Sequence, residues 1–377
     1  MRTTSFYFIF CLLYIFQACK DPDIERIEED KFRTVLVYLA ANNNLELEAY
    51  KNIEQMEKSL GDVDGNLIVY LKLPNNRPSL YHIQKKDGKN AEKTKIKDYE
   101  PHDSSDPTTM RLVLEDVRNL FPAKTYGLVL WSHATGWVPS SHGNIKLKSF
   151  GDDGGSQMNI KDLYYAIRYN FDFILFDACS MASVEVLYEI KEKAKYFIAS
   201  PGEVIANGMP YNKITNDLFS ADIDMYRLLA KKYHAHYDNL SGLHRSATIS
   251  VIDASKLKNL AQETKQVLLS QQPAHAGYNR DQIQRMDFDR LGNPLIAFDF
   301  LDFMEQNYSH ATSFQNLKTA LQEAVVYKAN TPLFNGFTID KNSGLTCYIP
   351  HPDNEETAHA YYRTLKWYTD SGFDRLL

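Results

Sequence analysis

The amino-acid sequence predicts an α/β fold: a mainly parallel central sheet with helices on both faces. Three observations lead there. Short apolar runs recur along the chain, each closed by breakers or by a helix start, as in strands buried on both faces of a parallel sheet. Between them lie stretches with apolar residues at helical spacing. The two kinds alternate as strand, helix, strand pair, helix, strand, helix, strand, helix, strand, an order that lays helices over a sheet by crossover connections.

Phe32 to Ala41 (FRTVLVYLAA) is the first core strand and runs into Asn42-Asn43-Asn44. A helix follows from about Leu45 to Leu60, with Leu45, Ala49, Ile53, Met56 and Leu60 on one face. Asn66 to Leu73 is a second strand, and Ser79 to Lys86 pairs with it across the turn Pro74 to Pro78. Asp87 to Pro107 is polar and reads as a loop. Pro107 opens a helix to about Phe121, with Thr108 or Thr109 as N-cap. Tyr126 to His133 (YGLVLWSH) is an apolar strand that ends in a reactive side chain before Thr135-Gly136. Gly136 to Met158 has no apolar period and reads as a long functional loop. Asn159 to Tyr169 is a helix, and Phe171 to Cys179 (FDFILFDAC) a strand ending in a thiol. Met181 to Ala194 reads as a strong helix, Tyr196 to Ser200 as a strand, and Gly202 to Pro210 as a loop at the same rim.

Helices are then expected over Tyr211 to Phe219 and Ile223 to Leu240, a strand over Ala247 to Asp253, and a helix over Ala254 to Gln272. Pro273 to Gly292 is irregular. Helices over Pro294 to Tyr308 and Ser313 to Val326 precede a hairpin of Gly336 to Asp340 with Gly344 to Ile349, and Glu355 to Thr369 is the last helix. A boundary near Ser241-Gly242 divides residues 32–241 from a C-terminal α/β extension, 242–377, packed on the core.

The chain has 377 residues and a net charge of -6 with no long basic run, which argues against a nucleic-acid partner. Its 24 Tyr and 20 Phe give a core ample enough to need no disulfide staple. Residues 1–18 read as a targeting segment: Arg2, then the apolar stretch Phe6 to Phe16, too short to span a bilayer as a helix. Gln17-Ala18-Cys19 at its end resembles a bacterial lipoprotein signal, with Cys19 as the lipid acceptor and residues 19–31 as a charged tether. On that reading the protein is an exported lipoprotein, at the outer membrane, the cell surface or in the periplasm, in contact with the membrane through its lipid. Plain secretion with cleavage nearby is the alternative.

Of four cysteines, Cys11 leaves with the signal and Cys19 is acylated, so Cys179 and Cys347 remain as thiols. Cys347 sits inside an apolar strand and reads as core. Reacting groups of a parallel sheet sit at the carboxyl ends of its strands, so His133 and Cys179 share a rim if their strands are neighbours. A thiol becomes a strong nucleophile as thiolate, and an imidazole in reach can take its proton and later protonate a leaving amine. Backbone N–H groups of Cys179 and Ala134 are candidates for an oxyanion hole. The helix expected just after Cys179 would place its positive end beneath the sulfur. Gly136 would let a substrate backbone approach. Spacing alone leaves both readings open for each residue: core thiol or nucleophile, satisfied polar residue or base.

The stretches LVLWSHATGW and FDACSMASVEVLYEI resemble the clostripain family of cysteine peptidases. YLAANNNLE, YFIASPGEVIANGMPY, GLTCYIP and the tail around WYTDSGFDRLL are similar to further parts of that family, so the resemblance covers most of the chain from about Thr34 on. It implies a caspase-like three-layer αβα sandwich with His and Cys at the ends of adjacent strands. It implies Cys179 as nucleophile, His133 as general base and acid, and Asp177 in the S1 pocket, where a carboxylate favours Arg or Lys. For Asp177 the other reading is a carboxylate capping the next helix. Glu203, in the next rim loop, either adds to that pocket or is solvated. The family is often activated by cleavage after a basic residue between His and Cys, which makes Lys146 and Lys148 the candidates. No cofactor is assigned. Some members depend on calcium, but Asp152-Asp153-Gly154-Gly155 lacks regular calcium-ligand spacing. Two departures stand out: Ala134 where the family has Gly after the His, and Asn42 where an Asp is common. The expectation is a cysteine endopeptidase that cleaves peptides or proteins after basic residues through a thioester. The alternatives are another P1 preference or an exported binding protein without turnover.

Overall fold

The computed structural model of the chain describes residues 31–85, 90–138, 149–270, 278–288, 297–351 and 356–377. In the first strand, β1 (Lys31–Ala40), Val35, Val37 and Leu39 enter one core while Leu36, Tyr38 and Ala40 enter another. A strand buried on both faces needs cover on both, and helices supply it. α1 (Glu46–Ser59) returns over the first face with Ala49, Ile53 and Met56 inward. β2 (Gly65–Lys72) lies parallel to β1; β3 (Ser79–Lys85) and β4 (Ala91–Asp98) follow antiparallel. α2 (Pro107–Leu120) covers the second face and leads to β5 (Ala123–Trp131), parallel to β1 on its other side. A hairpin of β6 (Phe150–Asp153) and β7 (Ser156–Met158) precedes α3 (Ile160–Ala166) and β8 (Phe171–Asp177), which lies parallel to β5. α4 (Val184–Glu189) leads to β9 (Ala194–Ala199), parallel to β8, and α5 (Tyr211–Ile214) and α6 (Met225–Asp238) join α1 on the first face.

The later chain stays in the same sheet. β10 (Thr248–Asp253) pairs antiparallel with β9. α7 (Leu257–Leu269), β11 (Phe298–Asp299), α8 (Phe300–Tyr308) and α9 (Phe314–Ala324) cover the second face, and β12 (Val325–Asn330) pairs with β10. Short strands β13 (Leu333–Phe334), β14 (Phe337–Thr338) and β15 (Thr346–Cys347) and helices α10 (Glu356–Tyr362) and α11 (Lys366–Asp370) follow. The main sheet thus has nine strands in the order β12-β10-β9-β8-β5-β1-β2-β3-β4, running across residue 241. Its inner strands, β9 to β2, are parallel, and helices layer both faces.

Several local readings are corrected. Ala91–Asp98 is a strand, not a loop; at the sheet edge half of its residues are exposed and only Ala91 is buried, so AEKTKIKD carries almost no apolar pattern. The N-cap of α2 is Asp106, whose Oδ1 accepts the Thr109 N–H at 2.8 Å, with Pro107 in the first turn. Val325 and Val326 open β12 rather than ending a helix. The late hairpin does not form: Thr346–Cys347 pairs with Phe298–Asp299, and Phe337–Thr338 with Leu333–Phe334.

At the amino ends of the inner strands, Arg33 is buried against Asp172 at the start of β8, with Nη2 3.1 Å from Oδ2. Lys195 reaches the other carboxylate oxygen at 2.6 Å. Arg33 also donates to the carbonyls of Leu218 and Ser220, so this buried charge is matched on several sides.

Candidate active site

β5 and β8 are parallel neighbours whose last paired residues are Trp131 and Asp177. His133 and Cys179 each lie two residues past that pair, so both leave the sheet at one rim. They line one cleft of about 210 Å³, together with Leu45, Trp131, Asp177, Glu203 and Gly208.

The loop after β9 holds the sulfur. Val204 N–H points to Cys179 Sγ at 3.2 Å, and Sγ lies 3.6 Å from the Val204 carbonyl. The thiol donates to that carbonyl, and the Val204 N–H stays aimed at the sulfur once its proton has left. The chain then turns sharply. Ser180 has φ +57°, Ser180 N–H donates to Gly202 O at 2.8 Å, and Ala182 N–H to Ser200 O at 2.9 Å. A non-glycine residue in this region costs on the order of 1 kcal/mol and persists only where its surroundings hold it. These turn contacts delay α4 until Val184, capped by the Ser183 hydroxyl. The expected helix end beneath the sulfur is therefore not there: α4 spans six residues and starts beyond the turn. Gly136 also differs from expectation. At φ +74°, a Cβ on it would come within 2.9 Å of Ser180 O, so it lets the His133 loop pack on the Cys179 turn.

On the His133 side, Gly151 N–H donates to His133 O at 3.0 Å and Thr135 N–H to Ser149 O at 3.3 Å. These two bonds flank the antiparallel bridge of Ala134 with Phe150, which turns the Ala134 N–H away from Phe150. The His133 ring meets the turn after β1: Nε2 lies 2.6 Å from Asn44 Oδ1. That turn is braced by Asn43, whose Nδ2 donates to Ala40 O at 3.1 Å and Asp152 O at 2.8 Å, and whose Oδ1 accepts Leu45 N–H at 2.9 Å. Asn42 Nδ2 donates to Asp153 Oδ1.

Asp177 lies in the cleft, 4% exposed, two residues before Cys179. Met209 N–H reaches both its oxygens, at 3.1 and 3.0 Å, and Tyr211 Oη donates to Oδ2 at 2.9 Å. Burial pushes this carboxyl up to about 6, and those two donors offset only part of the cost. A Cβ at Gly208 would sit 2.7 Å from both carboxylate oxygens. The second expected acid, Glu203, lines the cleft and accepts the Phe288 N–H on Oε1 at 2.7 Å. Trp131 Nε1 donates to Asn52 Oδ1 at 3.0 Å, and Asn52 donates to Asn207 O, so α1 braces the same wall.

Asp152 and Asp153 spend their oxygens on the protein: Asp152 Oδ1 takes Gly155 N–H at 2.8 Å, and Asp153 Oδ2 takes the Ser104 N–H and hydroxyl at 2.6 and 2.9 Å. Among the described residues no group of three or more His, Cys, Asp or Glu is placed to hold a metal ion. Cys347 is fully buried, and burial pushes its thiol well up, out of reach of reaction. Cys19, Lys146 and Lys148 lie outside the described residues. Reasoning from sequence missed Asn44, Met209 and Tyr211; the one available signal was a polar asparagine turn directly after a core strand.

A parallel sheet that lifts a thiol and an imidazole to one rim, above a cleft with an acidic floor, has the architecture of a caspase-like cysteine peptidase. The chain belongs to the clostripain family (Peptidase C11), whose model matches residues 37–377. It is similar to clostripain of Hathewaya histolytica, 23% identical over 411 residues, covering 88% of this chain and 77% of that protein. It is similar to a secreted C11 cysteine protease from Bacteroides thetaiotaomicron, solved with an irreversible peptide inhibitor, at TM-score 0.80 and 29% identity, over 91% of this chain and 99% of that one. A clostripain from the same organism, solved with the peptide inhibitor BTN-VLTK-AOMK, matches at TM-score 0.51 and 27% identity, over 59% of this chain and 97% of that one.

Proposed function

We propose that this cysteine peptidase cleaves after Lys or Arg, with Cys179 as nucleophile and His133 as general base and acid. The observation that carries the specificity is Asp177: a buried carboxylate beside the thiol, with no cation paired to it among the described residues. A P1 ammonium or guanidinium would supply the missing charge. The inhibitor bound by the Bacteroides thetaiotaomicron clostripain carries VLTK, ending in Lys, which agrees with this preference.

In the acylation step the Cys179 thiolate attacks the scissile carbonyl carbon, and the C=O electron pair moves onto oxygen. The N–H groups of Ala134 and Cys179 are the donors assigned to that oxyanion. Collapse breaks the C–N bond, and His133 protonates the departing amine. The thioester is then opened by a water whose proton passes to His133, which releases the carboxylic acid and restores the thiolate–imidazolium pair with which the cycle began.

Activation by cleavage at Lys146 or Lys148 and export through a lipid on Cys19 complete the reading. The secreted relative supports export, and no helix among the described residues is long and apolar enough to cross a membrane.

Turnover of a peptide panel varied at P1 is the test. Wild type should favour Lys or Arg over neutral P1 by at least about 100-fold in kcat/KM, the size of a desolvated charge pair. Cys179→Ala and His133→Ala should abolish turnover. Full activity of Cys179→Ala, or equal rates on neutral P1 residues, would overturn the proposal.

A further inference from the structure

We propose that Asn44 is a positioning residue for catalysis: its side-chain carbonyl fixes the tautomer and angle of His133, so that Nδ1 is the nitrogen that exchanges a proton with Cys179. This rests on the His133/Cys179 reading above.

The argument starts from what each atom can do. A neutral imidazole has one N–H and one lone-pair nitrogen, and an amide oxygen only accepts. His133 Nε2 is 2.6 Å from Asn44 Oδ1, so Nε2 carries the hydrogen and donates it. Nδ1 then holds the lone pair, and the acid–base work falls to it. Asn44 is itself exposed, but the backbone that carries it is not free to wander. Asn43 ties the turn to Ala40, Asp152 and Leu45 with three hydrogen bonds. The ring is thus aimed before substrate arrives, and no reorganisation is needed at the moment of reaction. Leu45, the next residue, lines the cleft, so a bound peptide covers this bond and excludes water from it. Loss of water strengthens the bond. Asn44 is also neutral, so it orients the ring without adding charge to the ion pair.

Steady-state kinetics of the full chain across pH, on a basic-P1 peptide, test this. Cys179, Asp177 and Glu203 line the same cleft as His133, Asp152 N–H donates to the hydroxyl of the neighbouring Ser132, and Glu46 and Glu48 stand in the first turn of α1. All are unchanged between variants, so a difference reports position 44. Asn44→Ala should lower kcat about 10- to 100-fold with KM nearly unchanged, as expected for loss of a group that orients a reacting side chain. Asn44→Asp keeps an acceptor and adds a charge that favours imidazolium. It should restore most of kcat and move the alkaline limb of kcat/KM up by about one pH unit. A residue that only braced the turn, without touching the ring, would leave kcat of Asn44→Ala near wild type and the limb of Asn44→Asp nearly unmoved. Wild-type kcat in Asn44→Ala, or an unmoved limb in Asn44→Asp, overturns the proposal. His133→Ala separates the two failures: an active His133→Ala defeats the dyad itself, whereas an inactive one beside an unaffected Asn44→Ala defeats only the role of Asn44.

Discussion

Strand β8 carries a buried aspartate at each end, and the fold treats them in opposite ways. At its start, burial alone would raise the Asp172 carboxyl. The hydrogen bond and charge of Lys195, and then Arg33, outweigh that and hold it below the ordinary carboxylate range. At the other end, Asp177 is buried more deeply and meets only an N–H and a hydroxyl, and deeper burial without a cation leaves it raised to about 6. One acid is completed by the chain's own cations, while the other meets none among the described residues and, on the proposed function, would take one from the substrate. On the proposed function the difference separates a structural charge from a recognition charge, although both sit in one apolar strand.

The largest break in this comparison comes from Asp177→Asn. Basic-P1 kcat/KM should fall about 100- to 1000-fold, the cost of removing one member of a desolvated charge pair, while neutral-P1 rates stay close to wild type. The sign for stability is the reverse. A folded-state value raised above the unfolded value of about 3.9 favours the fold at low pH, and that contribution is lost as pH rises through about 6. Asp177→Asn should therefore melt no lower than wild type at pH 8, and any gain should vanish by about pH 4, as read by thermal unfolding.

Asp172→Asn should do the opposite: lose about 3 kcal/mol of stability with the turnover of the folded fraction intact, measured by denaturant unfolding beside active-site titration. This is the low end for a broken buried pair, because Arg33 keeps two carbonyl acceptors. Its depressed carboxyl contributes stability above the unfolded value, and this is lost as pH falls through the folded one.

The smallest effect is a pH dependence of selectivity. The ratio of basic-P1 to neutral-P1 kcat/KM should drop about tenfold per pH unit below about 6, as Asp177 takes a proton. Taking a ratio cancels the titration of His133 and Cys179, and a flat ratio from pH 5 to pH 8 would count against Asp177 as the P1 partner.

What could be read from the chain follows how local each cause is. The strands ending at Trp131 and Asp177 were legible because burial on both faces leaves unbroken apolar runs, and the reactive residue comes just past the end of each. β12 was not, because Val325-Val326 continues the apolar spacing of α9 and nothing between Ala324 and Val325 marks the switch. Its pairing with β10, far back in the chain, makes it a strand. The helix after Cys179 was read too early because the turn at Ser180 is held by Gly202 and Ser200, partners beyond the local window. Asn44 sits in a run of three asparagines, and which one meets His133 depends on contacts that Asn43 makes with Asp152.

The placement of β10 and β12 has a consequence for synthesis. A chain emerging from its amino end has made every residue of the cleft before β10 exists, yet Phe197, Ile198 and Ala199 would then lie along a bare sheet margin. The reactive rim is written early and becomes dependable late. Until the final third of the polypeptide arrives, the β9 margin next to the cleft has no strand paired to it.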